Sequence, residues 1–258
     1  MSSPFANQHA EGDAGTAAGP IRTRIKICGL TREQDVDAAV AAGADAVGFV
    51  LYANSPRHVS IQRAAQLASR LPAFVTPVLL YVNENTTNII ANYLYMPWAI
   101  AQFHGDETPA QCLQATSGGK HPYLRAARIP LGDGAKDFDL VKYAQDYSHA
   151  QAILVDAHVE GYGGGGKVFN WSLLPPSVNA HLVLSGGLTA ANVADSILQV
   201  RPRCKTLAVD VSSGVELDGP DGKPVKGIKD AEKINRFCAA VRAADRLANN
   251  FAGQTKTT

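Results

Sequence analysis

At 258 residues, 46 % of them apolar, the chain is long enough to bury a large core, as a single α/β barrel or as two domains. Its 24 basic and 23 acidic residues leave a net charge of +1 with no block of like charge, which argues against nucleic acid and membrane surfaces and leaves a small molecule as the expected partner. No uninterrupted apolar run is long enough to cross a bilayer, and Cys28, Cys112, Cys204 and Cys238 are far apart without metal-ligand spacing, so they read as reduced thiols of a cytoplasmic protein with no metal.

Residues 1–20 are rich in alanine, glycine, serine and polar side chains and have neither a basic n-region nor an apolar h-region, which predicts a disordered tail rather than a signal peptide. The folded domain is expected over 21–247, with 248–258 a second flexible tail.

Arg24-Ile25-Lys26-Ile27-Cys28-Gly29 reads as a first strand that ends in a thiol and then breaks. Alternation puts Lys26 and Cys28 on one face and Ile25 and Ile27 on the other. Taken alone, Cys28 reads as core filling. Gly29 frees the backbone to turn, and Thr31-Arg32-Glu33-Gln34 offers a capping box for a helix over 33–42. Gly43 stops that helix, and the apolar run 46–51 is a buried parallel strand whose exit loop, 52–58, carries Ser55-Pro56-Arg57.

Ser60 caps a helix ending near Arg70, the third strand covers 76–82, and a helix follows as far as about Tyr95. The fourth strand, 99–103, ends in His104-Gly105, and Thr108-Pro109-Ala110-Gln111 combines an N-cap, a proline at the first helical position and a glutamine closing the box. A strand over 123–129, a glycine-bearing loop and a helix over 138–146 come next. Strand six, 152–155, stops at Asp156, and the loop 157–169, with glycines at 163–166, reads as a lid segment ahead of a short helix near Trp171. Strand seven, 181–184, ends in Ser185-Gly186-Gly187 before a helix over 191–200. Strand eight, 206–209, ends in Asp210-Val211-Ser212-Ser213-Gly214, and Asp230 caps a last helix made amphipathic by Ile234, Phe237 and Val241.

Strands and helices thus alternate eight times at 22- to 30-residue spacing, the repeat of right-handed βα crossovers, which predicts a single (β/α)8 TIM barrel with disordered N- and C-terminal tails. An open doubly wound sheet is the alternative, but no dinucleotide-type glycine fingerprint follows the first strand. In a TIM barrel the carboxyl ends of the strands form one ring, which gathers Cys28, Arg57, His104, Asp156, Ser185 and Asp210. Gly186 and Gly187 after strand seven, and Ser213 and Gly214 after strand eight, fit the two turns that most often hold a phosphate in this architecture.

Lys26-Ile27-Cys28-Gly29, the segment 43–49, Ser55-Pro56-Arg57, Gln102-Phe103-His104-Gly105, Leu154-Val155-Asp156, Leu184-Ser185-Gly186-Gly187-Leu188 and the segment 210–216 together resemble, in order, the signatures of the phosphoribosylanthranilate isomerase family. The resemblance runs from about Arg24 to Val241. It implies an Amadori rearrangement of N-(5-phosphoribosyl)anthranilate in tryptophan biosynthesis, without a cofactor, by a monomer or homodimer. By the same resemblance Asp156 is the general acid at the furanose ring oxygen and Cys28 the thiolate base at C2 of the sugar. Arg57 then meets the anthranilate carboxylate, a solvated loop arginine being its other reading, and Asp210 either orients sugar hydroxyls or pairs with Lys26. His104 is read as a loop hydrogen bonder without a catalytic role. Gly165 stands where the family usually has threonine or serine, and Asn170 where it usually has aspartate.

Two other readings remain at this level: an aldolase or synthase using Lys26 as a Schiff-base amine, and a non-catalytic barrel that only binds phosphosugars.

Overall fold

The computed structural model describes residues 22–130, 137–157, 171 and 174–254. The tail over 1–20, the glycines at 163–166, the departures at Gly165 and Asn170 and most of the short helix expected near Trp171 lie outside the described residues. Eight parallel strands, β1 (Arg24–Cys28), β2 (Ala46–Val50), β3 (Thr76–Tyr81), β4 (Ile100–Phe103), β5 (Tyr123–Ile129), β6 (Ala152–Ala157), β7 (Val178–Leu184) and β8 (Cys204–Val211), pair in chain order. The barrel closes where β8 returns to β1, with Lys26 in register with Asp210.

Alternation decides what each strand buries. Ile25, Ile27, Val47, Phe49, Leu79, Tyr81, Ala101 and Phe103 point outward and are buried in the main core. Each large apolar side chain buried there contributes roughly 1.5–3 kcal/mol. On the inward side, Ala126, Leu154 and Val183 form a separate buried cluster inside the barrel. Among the described residues the helices are α1 (Glu33–Ala41), α2 (Ile61–Ala68), α3 (Thr86–Asn92), α4 (Pro109–Ala115), α5 (Leu140–Asp146), α6 (Val193–Val200) and α7 (Ala231–Gln254), and none is long and apolar enough to cross a membrane.

Most helix starts follow their local chemistry. Ser60 Oγ accepts from Arg63 N at 3.1 Å, Thr108 and Gln111 close a reciprocal capping box, and Asp230 Oδ1 accepts from the amides of Glu232 and Lys233. The capping box expected at Thr31-Arg32-Glu33-Gln34 does not form: α1 starts behind Arg32 without a side-chain cap, because the Thr31 hydroxyl donates instead to the Gly227 carbonyl at 2.7 Å. Gly227 belongs to an antiparallel hairpin of β9 (Glu216–Asp218) and β10 (Pro224–Lys229), which sequence periodicity missed. Its strands are short, and Gly219, Pro220, Asp221 and Gly222 between them read only as loop. Other boundaries shift more modestly: α3 stops at Asn92 rather than Tyr95, and β6 extends past Asp156 to Ala157.

Candidate active site

The ring expected at the strand ends is real. Cys28, Arg57, His104, Asp156, Ser185 and Asp210 all line one narrow cavity of about 70 Å3 at the mouth of the barrel. Cys28 and Asp156 are nearly buried, at 4 % and 9 % exposure, on strands three apart around the closed sheet.

Beneath Cys28, one inward position deeper on β1, Lys26 Nζ donates to Asp210 Oδ1 at 2.8 Å, and Ser185 Oγ donates to Asp210 Oδ2 at 3.2 Å. Burial alone pulls the Lys26 ammonium toward neutrality, but Asp210 and Cys28 overcome it and hold its pKa above the ordinary lysine value. For Cys28 burial wins: the thiol pKa is raised, with the adjacent Lys26 charge opposing that rise and Asp210 adding to it. The packing here requires a glycine on β2. A Cβ at Gly48 would sit 2.7 Å from Cys28 Sγ and 3.1 Å from Lys26 Nζ.

His104 does more than tie its loop, which corrects the sequence-based reading. Its Nε2 lies 3.0 Å from Asp156 Oδ2, and its Nδ1 lies 3.0 Å from Gln102 Nε2. With the glutamine amide donating to Nδ1, the imidazole carries its proton on Nε2 and offers it to Asp156. Gln102 and His104 share the inward parity of β4, so period-two alternation holds the signal that would have found this chain.

Arg57 is a buried side chain, not a solvated one. Its Nε and Nη2 clasp Glu216 at 2.7 and 2.9 Å, while among the described residues no hydrogen bond engages Nη1. Glu216 also accepts from Gly227 N at 2.8 Å and Lys229 Nζ at 3.3 Å. Although burial opposes its charge, Arg57 and Lys229 hold the Glu216 carboxyl below its ordinary range. Lys229 pays the corresponding penalty: burial, against the attraction of Glu216, pulls its pKa down to about 8. Nothing local in the sequence distinguishes Glu216 as this hub.

The two glycine turns form one wall. Gly186 and Gly187 adopt φ of 82° and 65°, and Gly187, Ser213 and Gly214 line a second cavity of about 450 Å3 that meets the first at Arg57. A Cβ at Gly214 would lie 2.0 Å from the Leu188 carbonyl oxygen, so the turns after β7 and β8 touch. Asn192, which sequence reading overlooked, pins the first turn by donating to Gly187 O at 3.0 Å and accepting from Thr189 N at 2.8 Å. Among the described residues the Gly187 amide has no acceptor within the chain.

A barrel whose mouth gathers these residues matches one family model, N-(5'phosphoribosyl)anthranilate (PRA) isomerase, over residues 25–240. The chain belongs to the PRA isomerase family. It is 60 % identical over 225 residues to the N-(5'-phosphoribosyl)anthranilate isomerase of Methylibium petroleiphilum, a match that covers 87 % of this chain and 96 % of that one. Among solved PRA isomerases, that of Thermotoga maritima superposes with a TM-score of 0.72 at 35 % identity, covering 86 % of this chain and 99 % of the other. A PRA isomerase in complex with reduced 1-(o-carboxyphenylamino)-1-deoxyribulose 5-phosphate superposes with a TM-score of 0.69 at 33 % identity, over 86 % of this chain and 99 % of that one.

Proposed function

We propose that Cys28 and Asp156 convert N-(5'-phosphoribosyl)anthranilate to 1-(2-carboxyphenylamino)-1-deoxyribulose 5-phosphate, as the acid–base pair of this PRA isomerase. The chain is an isomerase of tryptophan biosynthesis by its family. The observation that carries the residue roles is the shared cavity, in which a carboxyl on β6 and a thiol on β1 face one space from different sides.

Asp156 gives its proton to the furanose ring oxygen as the bond from that oxygen to C1 breaks, and the anthranilate nitrogen lone pair forms the imine. The Cys28 thiolate takes the proton from C2, and the freed pair makes the enolamine. Ketonisation then moves the hydroxyl proton off the oxygen on C2 and adds one at C1, so the substrate's proton count is unchanged, and the proton gained by Cys28 and the one lost by Asp156 are exchanged with solvent before the next turnover. His104 holds Asp156 by a hydrogen bond, and Lys26 favours the thiolate by its charge. Arg57 keeps Nη1 for the anthranilate carboxylate, Asp210 and Ser185 border the sugar, and the turns of Gly186, Gly187, Ser213 and Gly214 receive the phosphate. The ion pair of Lys26 with Asp210 speaks against the Schiff-base reading, which needs a neutral amine.

The test is the fluorescence of freshly made phosphoribosylanthranilate, which should fall on addition of the purified protein. Loss that persists unchanged in both Cys28→Ser and Asp156→Asn would sink the assignment. A cytoplasmic location is proposed from the four free cysteines.

A further inference from the structure

The cavity of about 450 Å3 that holds the glycine turns is also walled by the β9–β10 hairpin, through Lys223, Pro224 and Lys226. The backbone beside Lys226 is fastened at both polar groups of Gly227, whose N–H donates to Glu216 at 2.8 Å and whose carbonyl accepts from Thr31 at 2.7 Å. Lys226 therefore stands on a fixed strand at the edge of the cavity.

The other cations of this mouth are already committed. Arg57 and Lys229 serve Glu216, Lys26 serves Asp210, and Lys233 pairs with Asp218 at 2.6 Å. Lys223 faces Asp221 at 3.7 Å. Lys226 alone in this group has no acidic partner among the described residues. An uncompensated ammonium beside open backbone N–H groups is the chemistry of an oxyanion site, and turns of glycine and serine supply only neutral donors to a dianion.

We infer that Lys226 is a ligand of the substrate's 5'-phosphate, contributed by the hairpin that closes over the turns after β7 and β8. The inference rests on the phosphate reading of those turns. Lys226 supplies the positive charge that the turns lack, and it does so from a strand anchored by the same carboxylate, Glu216, that holds Arg57. Phosphate recognition and the orientation of Arg57 thereby share one buried hub.

The experiment compares the parent enzyme with Lys226→Gln and Lys226→Arg, using inorganic phosphate as a competitor against phosphoribosylanthranilate. Inorganic phosphate should inhibit the parent competitively. In Lys226→Gln its inhibition constant and the KM for substrate should rise together, about two- to fivefold for an exposed charge contact, and arginine should restore most of both. Because Lys226 is exposed, the thermal midpoint should not move. Competitive inhibition of the parent with both constants unchanged in Lys226→Gln overturns the role of Lys226 and leaves the turns standing. A raised KM with an unchanged phosphate constant overturns it too, since the lysine then meets another part of the substrate. A parent that phosphate does not inhibit removes the phosphate reading itself, and this inference with it.

Discussion

His104 Nε2 lies 3.0 Å from Asp156 Oδ2, so the proposed acid is the end of a buried chain that begins at Gln102 on β4. A hydrogen bond to a charged or proton-donating carboxyl is worth roughly 1.5–3 kcal/mol, and a bond that orients the proton donor is felt in the reaction step. His104→Ala should therefore lower kcat about 10- to 150-fold with KM near the parent value. Steady-state kinetics with both constants resolved checks this, and a raised KM with kcat intact would make His104 a substrate contact instead.

The raised pKa of Cys28 has a sign that kinetics can read. With the thiolate as the proposed base, kcat/KM should climb with pH along a limb that lies above the ordinary thiol range. Lys26 opposes the upward shift, so Lys26→Met should displace that limb to still higher pH and reduce kcat/KM at neutral pH. A pH profile of both proteins decides the matter; coincident limbs would mean that Lys26 acts only through packing.

Gly48→Ala tests the same corner by volume. Its new methyl would meet Cys28 Sγ at 2.7 Å, and the thiol or Lys26 must shift to admit it. Overpacking of this kind costs about 1–3 kcal/mol, so a lowered thermal midpoint should accompany a large loss of kcat. Activity at the parent level would show that the thiol has room to move without loss of function.

Arg57→Ala should harm both folding and chemistry. Removal of one partner from a buried ion pair costs roughly 3–5 kcal/mol, here softened because Lys229 and the Gly227 amide stay on Glu216. The two effects separate with a substrate analogue in which aniline replaces anthranilate. The parent should lose activity on the analogue, while Arg57→Ala, assayed well below its melting temperature, should treat both compounds nearly alike. A mutant that still prefers the carboxylated compound as strongly as the parent would leave Arg57 as a clamp for Glu216 alone.

Sequence by itself determined the barrel and its ring of strand-end residues, because period-two alternation, caps such as Ser60 and Thr108, and the spacing of βα units are local properties that short segments carry. Strand-end position placed Cys28 and Asp156 in that ring with four other residues, and the resemblance to the family marked those two as the expected base and acid. Only the tertiary structure decided where the charges go. Lys26 meets Asp210 across 184 residues of chain and Arg57 meets Glu216 across 159, and local pattern does not reach that far. The same holds for Thr31, whose hydroxyl leaves a good capping position for a carbonyl of the unforeseen hairpin. Burial of an ionic group demands a partner wherever the closed barrel brings one, so the pairings follow from closure and not from sequence neighbours.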